Sequence, residues 1–192
     1  WTSPDITQVT RFFSRNLSMM DYWDSRFGWL LKPFKTMRYL RRLNSKRQAK
    51  KNILAHYDLG DELYQTFLDP KMQYSSAIFD EEGNSLEEAQ VNKLTRICDQ
   101  LKLREDDHLL EVGSGWGGLG LYLARTTGAN VTGVTLSVEQ QKYSAARARR
   151  EGLDKWARFE LRDYRHETGP YDRIVSVGMF EHVGRKFYNT FF

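Results

Sequence analysis

Between residues 108 and 128 a short, mostly apolar stretch, His108 to Val112, runs into Gly113-Ser114-Gly115-Trp116-Gly117-Gly118 and leaves through Leu119 to Arg125, with Gly128 placed to stop a helix. A strand that turns through glycines straight into a helix commits the chain to a βα unit, and such units bury their apolar faces by building a parallel sheet. The unit then repeats. Val131 to Leu136 is β-rich, Ser137-Val138-Glu139-Gln140 has capping-box spacing, and the following helix ends near Gly152. Ala157 to Leu161 and Arg173 to Val177 supply two further strands. The expected fold class is α/β, with a doubly wound parallel sheet of which four strands are present.

The material around this core is of two kinds. Ser85-Leu86-Glu87-Glu88 opens a second capping box, and Leu86, Ala89, Leu94, Ile97, Cys98 and Leu101 form one apolar stripe as far as Leu103, so a docked amphipathic helix is expected there. Cys98, the only cysteine, reads as a small core residue of a reducing compartment. Residues 1 to about 50 show no strand-like alternation, and Pro33 would interrupt a long helix. They read as a small helical accessory segment, 1–51, ahead of the main domain, 52–192.

The net charge of +4 conceals a local excess, because Lys32, Lys35, Arg38, Arg41, Arg42, Lys46, Arg47, Lys50 and Lys51 fall between residues 32 and 51 with no acid among them. Trp23, Phe27, Trp29, Leu30 and Leu31 lie just upstream. Basic and aromatic residues together suit an anionic lipid surface; charge alone would suit nucleic acid equally, or a solvated linker. No run of 18 uncharged apolar residues is present, and Trp1 to Asp21 lacks the layout of a secretory signal, so a cytoplasmic chain is expected.

The glycine loop fits two ligand templates. Gly113, Gly115 and Gly118 satisfy the dinucleotide fingerprint, but that site needs an acid about 20 residues further on for the ribose, and Gly133, Val134, Thr135 and Leu136 stand there instead. The acid lies before the glycines, at Glu111, a position suited to fixing the loop or a cationic ligand. That pattern favours S-adenosylmethionine over an anionic pyrophosphate.

Several separated segments, taken together, resemble the cyclopropane fatty acid synthase and mycolic acid methyltransferase family. They are His56-Tyr57-Asp58-Leu59-Gly60, Met72-Gln73-Tyr74-Ser75-Ser76, the glycine loop, Gly133 to Ser137 with Glu139-Gln140, and Asp172 to Gly184 with Glu181-His182 inside it. The match covers roughly residues 52 to 192. It implies a Rossmann-like methyltransferase in which Tyr74 and Ser75 touch the cofactor. Leu109 to Gly117, with Glu111, Gly113, Ser114, Gly115 and Gly117, would wrap its methionine part. Thr135, Leu136 and Gln140 would approach ribose or adenine, and Asp163 and Tyr164 would lie on the adenine side.

The chemistry implied is transfer of a methyl group to the double bond of an unsaturated acyl chain of a phospholipid. An alkene is a poor nucleophile, so alignment must supply much of the rate, on the order of 7–11 kcal/mol. A base then removes a proton to close the ring. The resemblance assigns that role to a bound bicarbonate held by Glu181, which is the leading catalytic residue, and the backbone at Gly178, with Ser76 beside them. Ring-forming members usually have cysteine after Tyr-Ser, and Ser76 in its place puts ring closure in question while leaving methyl transfer intact. His182 and His56 are read as supporting. The partners implied are unsaturated phospholipid acyl chains and an anionic membrane surface at the cytoplasmic face; nucleic acid is not expected, and a homodimer is left open. Rival readings are a small-molecule methyltransferase of the same fold, a methyl-branching enzyme, and a non-catalytic cofactor-binding module. Because such sheets normally have seven strands, the expectation is the N-terminal portion of the domain, inactive by itself and prone to association through its exposed apolar end.

Overall fold

The computed structural model describes residues 5–19, 22, 26, 61–184 and 187–192. The chain divides into two compact units, Trp1–Leu43 and Asn44–Phe192. In the first, helix α1 (Ile6–Arg15) is capped by the Asp5 carboxylate, which accepts from Thr7 N at 2.9 Å. It leaves Phe12 and Phe13 exposed, followed by exposed Leu17, Met19 and Tyr22. The basic stretch 32–51, Trp23, Trp29 and the His56–Gly60 motif lie outside the described residues.

The second unit is the α/β body. After the short helix α2 (Asp61–Gln65) comes α3 (Leu86–Leu101), then β1 (His108–Val112), α4 (Gly118–Thr127), β2 (Asn130–Thr135), α5 (Val138–Arg150), β3 (Ala157–Leu161), β4 (Arg173–Ser176) and a final turn of helix, α6 (Tyr188–Phe191). Single 3₁₀ turns follow β3 at Tyr164–His166 and β4 at Phe180–His182. All strands are parallel, in the order β3-β2-β1-β4. The chain therefore winds outward from β1 through β2 to β3 and returns to the other side of β1, so the winding reverses between β1 and β4. In open α/β sheets ligands bind at the carboxyl ends of the strands beside such a reversal.

The α3 boundary follows from its first turn. Ser85 Oγ accepts from Glu88 N while Ser85 N donates to Glu88 Oε2 at 2.8 Å, the reciprocal capping box expected from the sequence. Ala89 and Leu94 of its stripe are buried, and Ile97, Cys98 and Leu101 pack partly against the main core. Leu86 departs from expectation: the first residue of the helix, it is exposed.

One sheet face carries the main core, with Leu109, Val131, Ala157 and Phe159 packed against Leu94, Leu119, Leu121, Leu123 and Ala148 of the helices. Each fully buried Leu or Val contributes about 1.5–3 kcal/mol. On the other face Leu110, Val112 and Val134 meet Tyr164, Tyr171 and Met179, while Ile174 on the outer strand stays 63% exposed.

Candidate functional site

The glycine loop leaves the end of β1 and is tied back over β2, with Gly113 N and Ser114 N both donating to Val134 O at 2.9 and 3.1 Å. Gly117 N closes the turn onto Ser114 O at 2.9 Å. Gly115 has φ +53°, and the space where a Cβ would stand is empty to 4 Å, so a ligand can reach its backbone. Gly113 is flanked instead by Met179, from the loop after β4, 3.2 Å from the position its Cβ would take. The loops after β1 and β4 thus meet at the reversal point.

Glu111 lies beneath this loop. Its side chain is buried in the row formed by Gly133 and Phe159, and Oε2 sits where a Cβ on Gly120 would come within 2.6 Å. Burial pushes its carboxyl up to about 8, opposed by a hydrogen bond from the Gly120 backbone in the first turn of α4. Oε2 and Ser114 Oγ are both buried without a hydrogen-bond partner. The hydrogen-bond partner of the carboxyl is thus the backbone of the helix into which the loop opens.

At the end of β2, Thr135 Oγ1 donates to Gln140 Oε1 at 3.0 Å and accepts from Ser137 N at 3.2 Å. This corrects the capping box expected at Ser137-Val138-Glu139-Gln140. Ser137 Oγ does accept from Gln140 N, but the Gln140 side chain turns to Thr135 and not back to Ser137 N, because the threonine hydroxyl already serves that amide. Gln140 Nε2 makes no hydrogen bond among the described residues, so this end of β2 presents an unused amide donor. Half-buried Leu136 lies between the two.

The segment 69–76 forms a cover. The Asp69 carboxylate, 4% exposed, accepts from Lys71 N at 2.9 Å and Gln73 N at 2.7 Å, and Arg147 donates to Lys71 O at 3.1 Å. Gln90 Nε2 donates to Ser75 O at 3.0 Å and Gln73 O at 3.3 Å, and Lys93 Nζ donates to Ser75 Oγ at 2.7 Å. Tyr74 presents an edge to Trp116 of the glycine loop, which packs at a tilt of 50° against Tyr64 and donates from Nε1 to Asp61 at 2.7 Å. Tyr74 and Ser75 are therefore brought to the glycine loop, with Ser76 exposed just beyond.

Gln90, Lys93 and Asp69 were not singled out from sequence. The signal was there in part: Gln90 and Lys93 fall beside Ala89 and Leu94 on the apolar stripe of α3, where a polar residue needs a buried partner.

After β3, Asp163 caps the 3₁₀ turn through Arg165 N at 3.0 Å, and the Arg165 guanidinium beside it holds its carboxyl below the usual range. The Tyr164 ring packs against the second core face and meets Phe191 edge-on. After β4, Gly178 (φ +75°) comes near Ser75, its would-be Cβ 4.0 Å from Ser75 Cβ. Glu181 is exposed on the next turn, and no hydrogen bond links it to Ser75 or Ser76. Among the described residues no cluster could hold a metal ion.

The comparisons agree with this geometry. The family model described as mycolic acid cyclopropane synthetase matches residues 44–192. A cyclopropane-fatty-acyl-phospholipid synthase of Escherichia coli K12 is 49% identical over 150 residues, which cover 78% of this chain and 38% of the relative. A tuberculostearic acid methyltransferase of Mycobacterium tuberculosis is 34% identical, covering 100% of this chain and 46% of its own length. The chain thus spans less than half the length of these relatives. Among solved structures, a mycolic acid cyclopropane synthase complexed with S-adenosylhomocysteine and CTAB superposes with a TM-score of 0.71 at 36% identity, covering 74% of this chain and 50% of that one. With a reversal-point glycine loop, a supporting buried acid and a family match over most of its length, the chain belongs to the mycolic acid cyclopropane synthetase family.

Proposed function

We propose that the protein transfers a methyl or methylene group from S-adenosylmethionine to the double bond of an unsaturated acyl chain in a membrane phospholipid, forming a cyclopropane fatty acid. The observation that carries this reading is the open backbone at Gly115, at the carboxyl end of β1 beside the winding reversal, in a loop whose supporting acid precedes the glycines. The residues fit that cofactor. Gly115 lets its methionine part approach the backbone, Gln140 offers an unused amide donor, and Gly133 to Leu136, where a dinucleotide site would carry its ribose-binding acid, hold no carboxylate. The bound S-adenosylhomocysteine of the solved relative supports the same assignment.

S-adenosylmethionine supplies an electrophilic sulfonium methyl. The chain's own part is to hold and enclose it. The 69–76 cover, with exposed Tyr74 set edge-on to buried Trp116, would border the cofactor beside the glycine loop. Transfer of that methyl to the alkene would form one C–C bond as the S–CH3 bond breaks and S-adenosylhomocysteine leaves, and the resulting carbocation would be stabilised by aromatic faces. Loss of a proton from the new methyl closes the ring. Bicarbonate as the acceptor of that proton, held by Glu181 and the Gly178 backbone, is carried on resemblance alone, since the described residues assemble no base site around Glu181.

A second reading has an observation in its favour. Ser76 stands where the resemblance expects cysteine in ring-forming members, and relatives are named as methyltransferases, one a tuberculostearic acid methyltransferase and one a probable fatty acid methyltransferase. In that reading the carbocation loses its proton without closing a ring, leaving an exocyclic methylene or a methyl-branched alkene.

Docking at an anionic membrane surface, from the cytoplasmic side, is supported by exposed Phe12, Phe13, Leu17 and Met19 beside Arg11 and Arg15, and by the nine basic residues of 32–51. Among the described residues no helix is long and apolar enough to cross a membrane.

The test is lipid mass spectrometry after expressing the intact protein in a host lacking such an enzyme. Phospholipids that each gain one CH2 per double bond, and then resist hydrogenation, are expected for ring closure. Gain with retained unsaturation supports the second reading. Unchanged lipids from a folded protein that binds S-adenosylhomocysteine would move the assignment to a small-molecule methyltransferase.

A further inference from the structure

Lys93 is 5% exposed, on the core-facing side of α3, and a lysine is rarely buried so deeply without a purpose-built partner. Its Nζ lies 2.7 Å from Ser75 Oγ and 3.5 Å from Ser75 O. Gln90, one turn earlier, grips the same carbonyl at 3.0 Å. Both side chains converge on the residue that stands between the glycine-loop cover and Gly178. An ammonium has three donors and no acceptor, so its bond to Ser75 forces the serine oxygen to accept. The hydroxyl's own hydrogen is then left to point elsewhere.

We propose that Lys93 is a positioning residue whose ammonium commits the Ser75 hydroxyl to donate outward, to an acceptor atom of the ligand in the glycine-loop crevice. The inference rests on the S-adenosylmethionine reading, in which Ser75 borders the cofactor. It also accounts for why the cover is built with a cation here: a neutral partner could equally accept from Ser75 and turn the hydroxyl inward.

The charge is adjustable. Burial pushes Lys93 down to about 8, and the Asp69 carboxylate, across the cover, opposes this; Asp69 is the charged group whose field acts on Lys93, the remaining polar partners Gln90 and Ser75 being neutral. When the amine loses its proton, its lone pair can take the Ser75 hydrogen, and the outward donor is lost.

The experiment is calorimetric titration of the intact protein with S-adenosylhomocysteine at about pH 7 and about pH 9, on either side of the Lys93 transition, for the natural protein and Ser75→Ala. The natural protein is expected to lose affinity about tenfold more than Ser75→Ala does between the two pH values, one lost donor being worth about a factor of ten. Titration of the ligand and of Glu111 affects both proteins and drops out of the ratio. Lys93→Met, with folding checked by its urea midpoint, should bind about tenfold more weakly at pH 7, and adding it to Ser75→Ala should cost nothing further. Equal pH responses in the two proteins, or additive losses in the double variant, would overturn the role of Lys93. Absence of binding by the natural protein at either pH would instead sink the cofactor assignment on which it rests.

Discussion

Gly118→Ala probes the contact that holds the cover on the glycine loop. Alanine at the start of a helix should be favourable, by up to about 1 kcal/mol, and Gly118 does not occupy the left-handed region. The obstacle is steric: a Cβ would come within 2.2 Å of Lys71 O and 2.3 Å of Gln73 Nε2. The glutamine can swing away, but Lys71 O is backbone, held by Arg147 at 3.1 Å and by Asp69 bonds to the neighbouring amides. Ordinary contact requires a retreat of about 1 Å, which costs roughly 1–3 kcal/mol as overpacking. It also weakens the charged Arg147 bond, worth roughly 1.5–3 kcal/mol. After the helix gain, a net loss of about 2–4 kcal/mol is expected in urea unfolding at unchanged m-value, with weaker S-adenosylhomocysteine binding. Gly115→Ala is the companion variant, because its Cβ would meet nothing and only its φ of +53° resists, at about 1–2 kcal/mol. A Gly118→Ala protein as stable as the natural one, with ligand affinity intact, would show that the cover does not bear on Gly118 as described.

Ser85→Ala should cost about 1 kcal/mol in the same assay, since it removes the hydroxyl that accepts from Glu88 N, while the Ser85 backbone amide keeps its bond to the Glu88 carboxylate. Glu111→Gln should flatten the pH dependence of stability: the folded carboxyl titrates near 8, above its unfolded value, so its contribution is complete below about pH 4.5 and is lost as pH rises to about 8, by at most about 1.4 kcal/mol per pH unit. Urea midpoints at pH 5 and pH 8 that fall equally in both proteins would count against an unpaired buried Glu111. Sedimentation with vesicles should show binding that needs anionic lipid and weakens with salt, as charges are screened over about 8–10 Å at physiological ionic strength; indifference to both would remove the membrane-docking proposal.

The βα repeat was legible because its signals are local. Ser85, the glycine loop, Gly128 and the β-rich run at Val131 each act on their own neighbours, and the strands and helices they predict lie within a residue or two of those observed. The exceptions involve partners the spacing cannot see. Gln140 has the sequence position of a capping-box residue, but Thr135 competes for the same backbone amide and takes it. The order β3-β2-β1-β4, and with it the meeting of Gly113, Met179, Gly178 and Ser75, depends on where the chain returns after β3. Asp69, Gln90 and Lys93 act on backbone groups of a segment 15–18 residues from α3 or within it, so no fixed motif announces them. For Tyr74, Ser75, Thr135 and Gln140, proposed as cofactor residues, the assignment rests on family resemblance, and the structure adds how each is held.

The central claim is that the loops after β1 and β2 form a site for S-adenosylmethionine and not for a dinucleotide. Calorimetric titration of the intact protein with S-adenosylhomocysteine and with NAD tests it directly. The account predicts saturable binding of S-adenosylhomocysteine, lost or strongly weakened when a side chain is placed in the open space at Gly115, and no binding of NAD. Tight NAD binding with no heat from S-adenosylhomocysteine would contradict it.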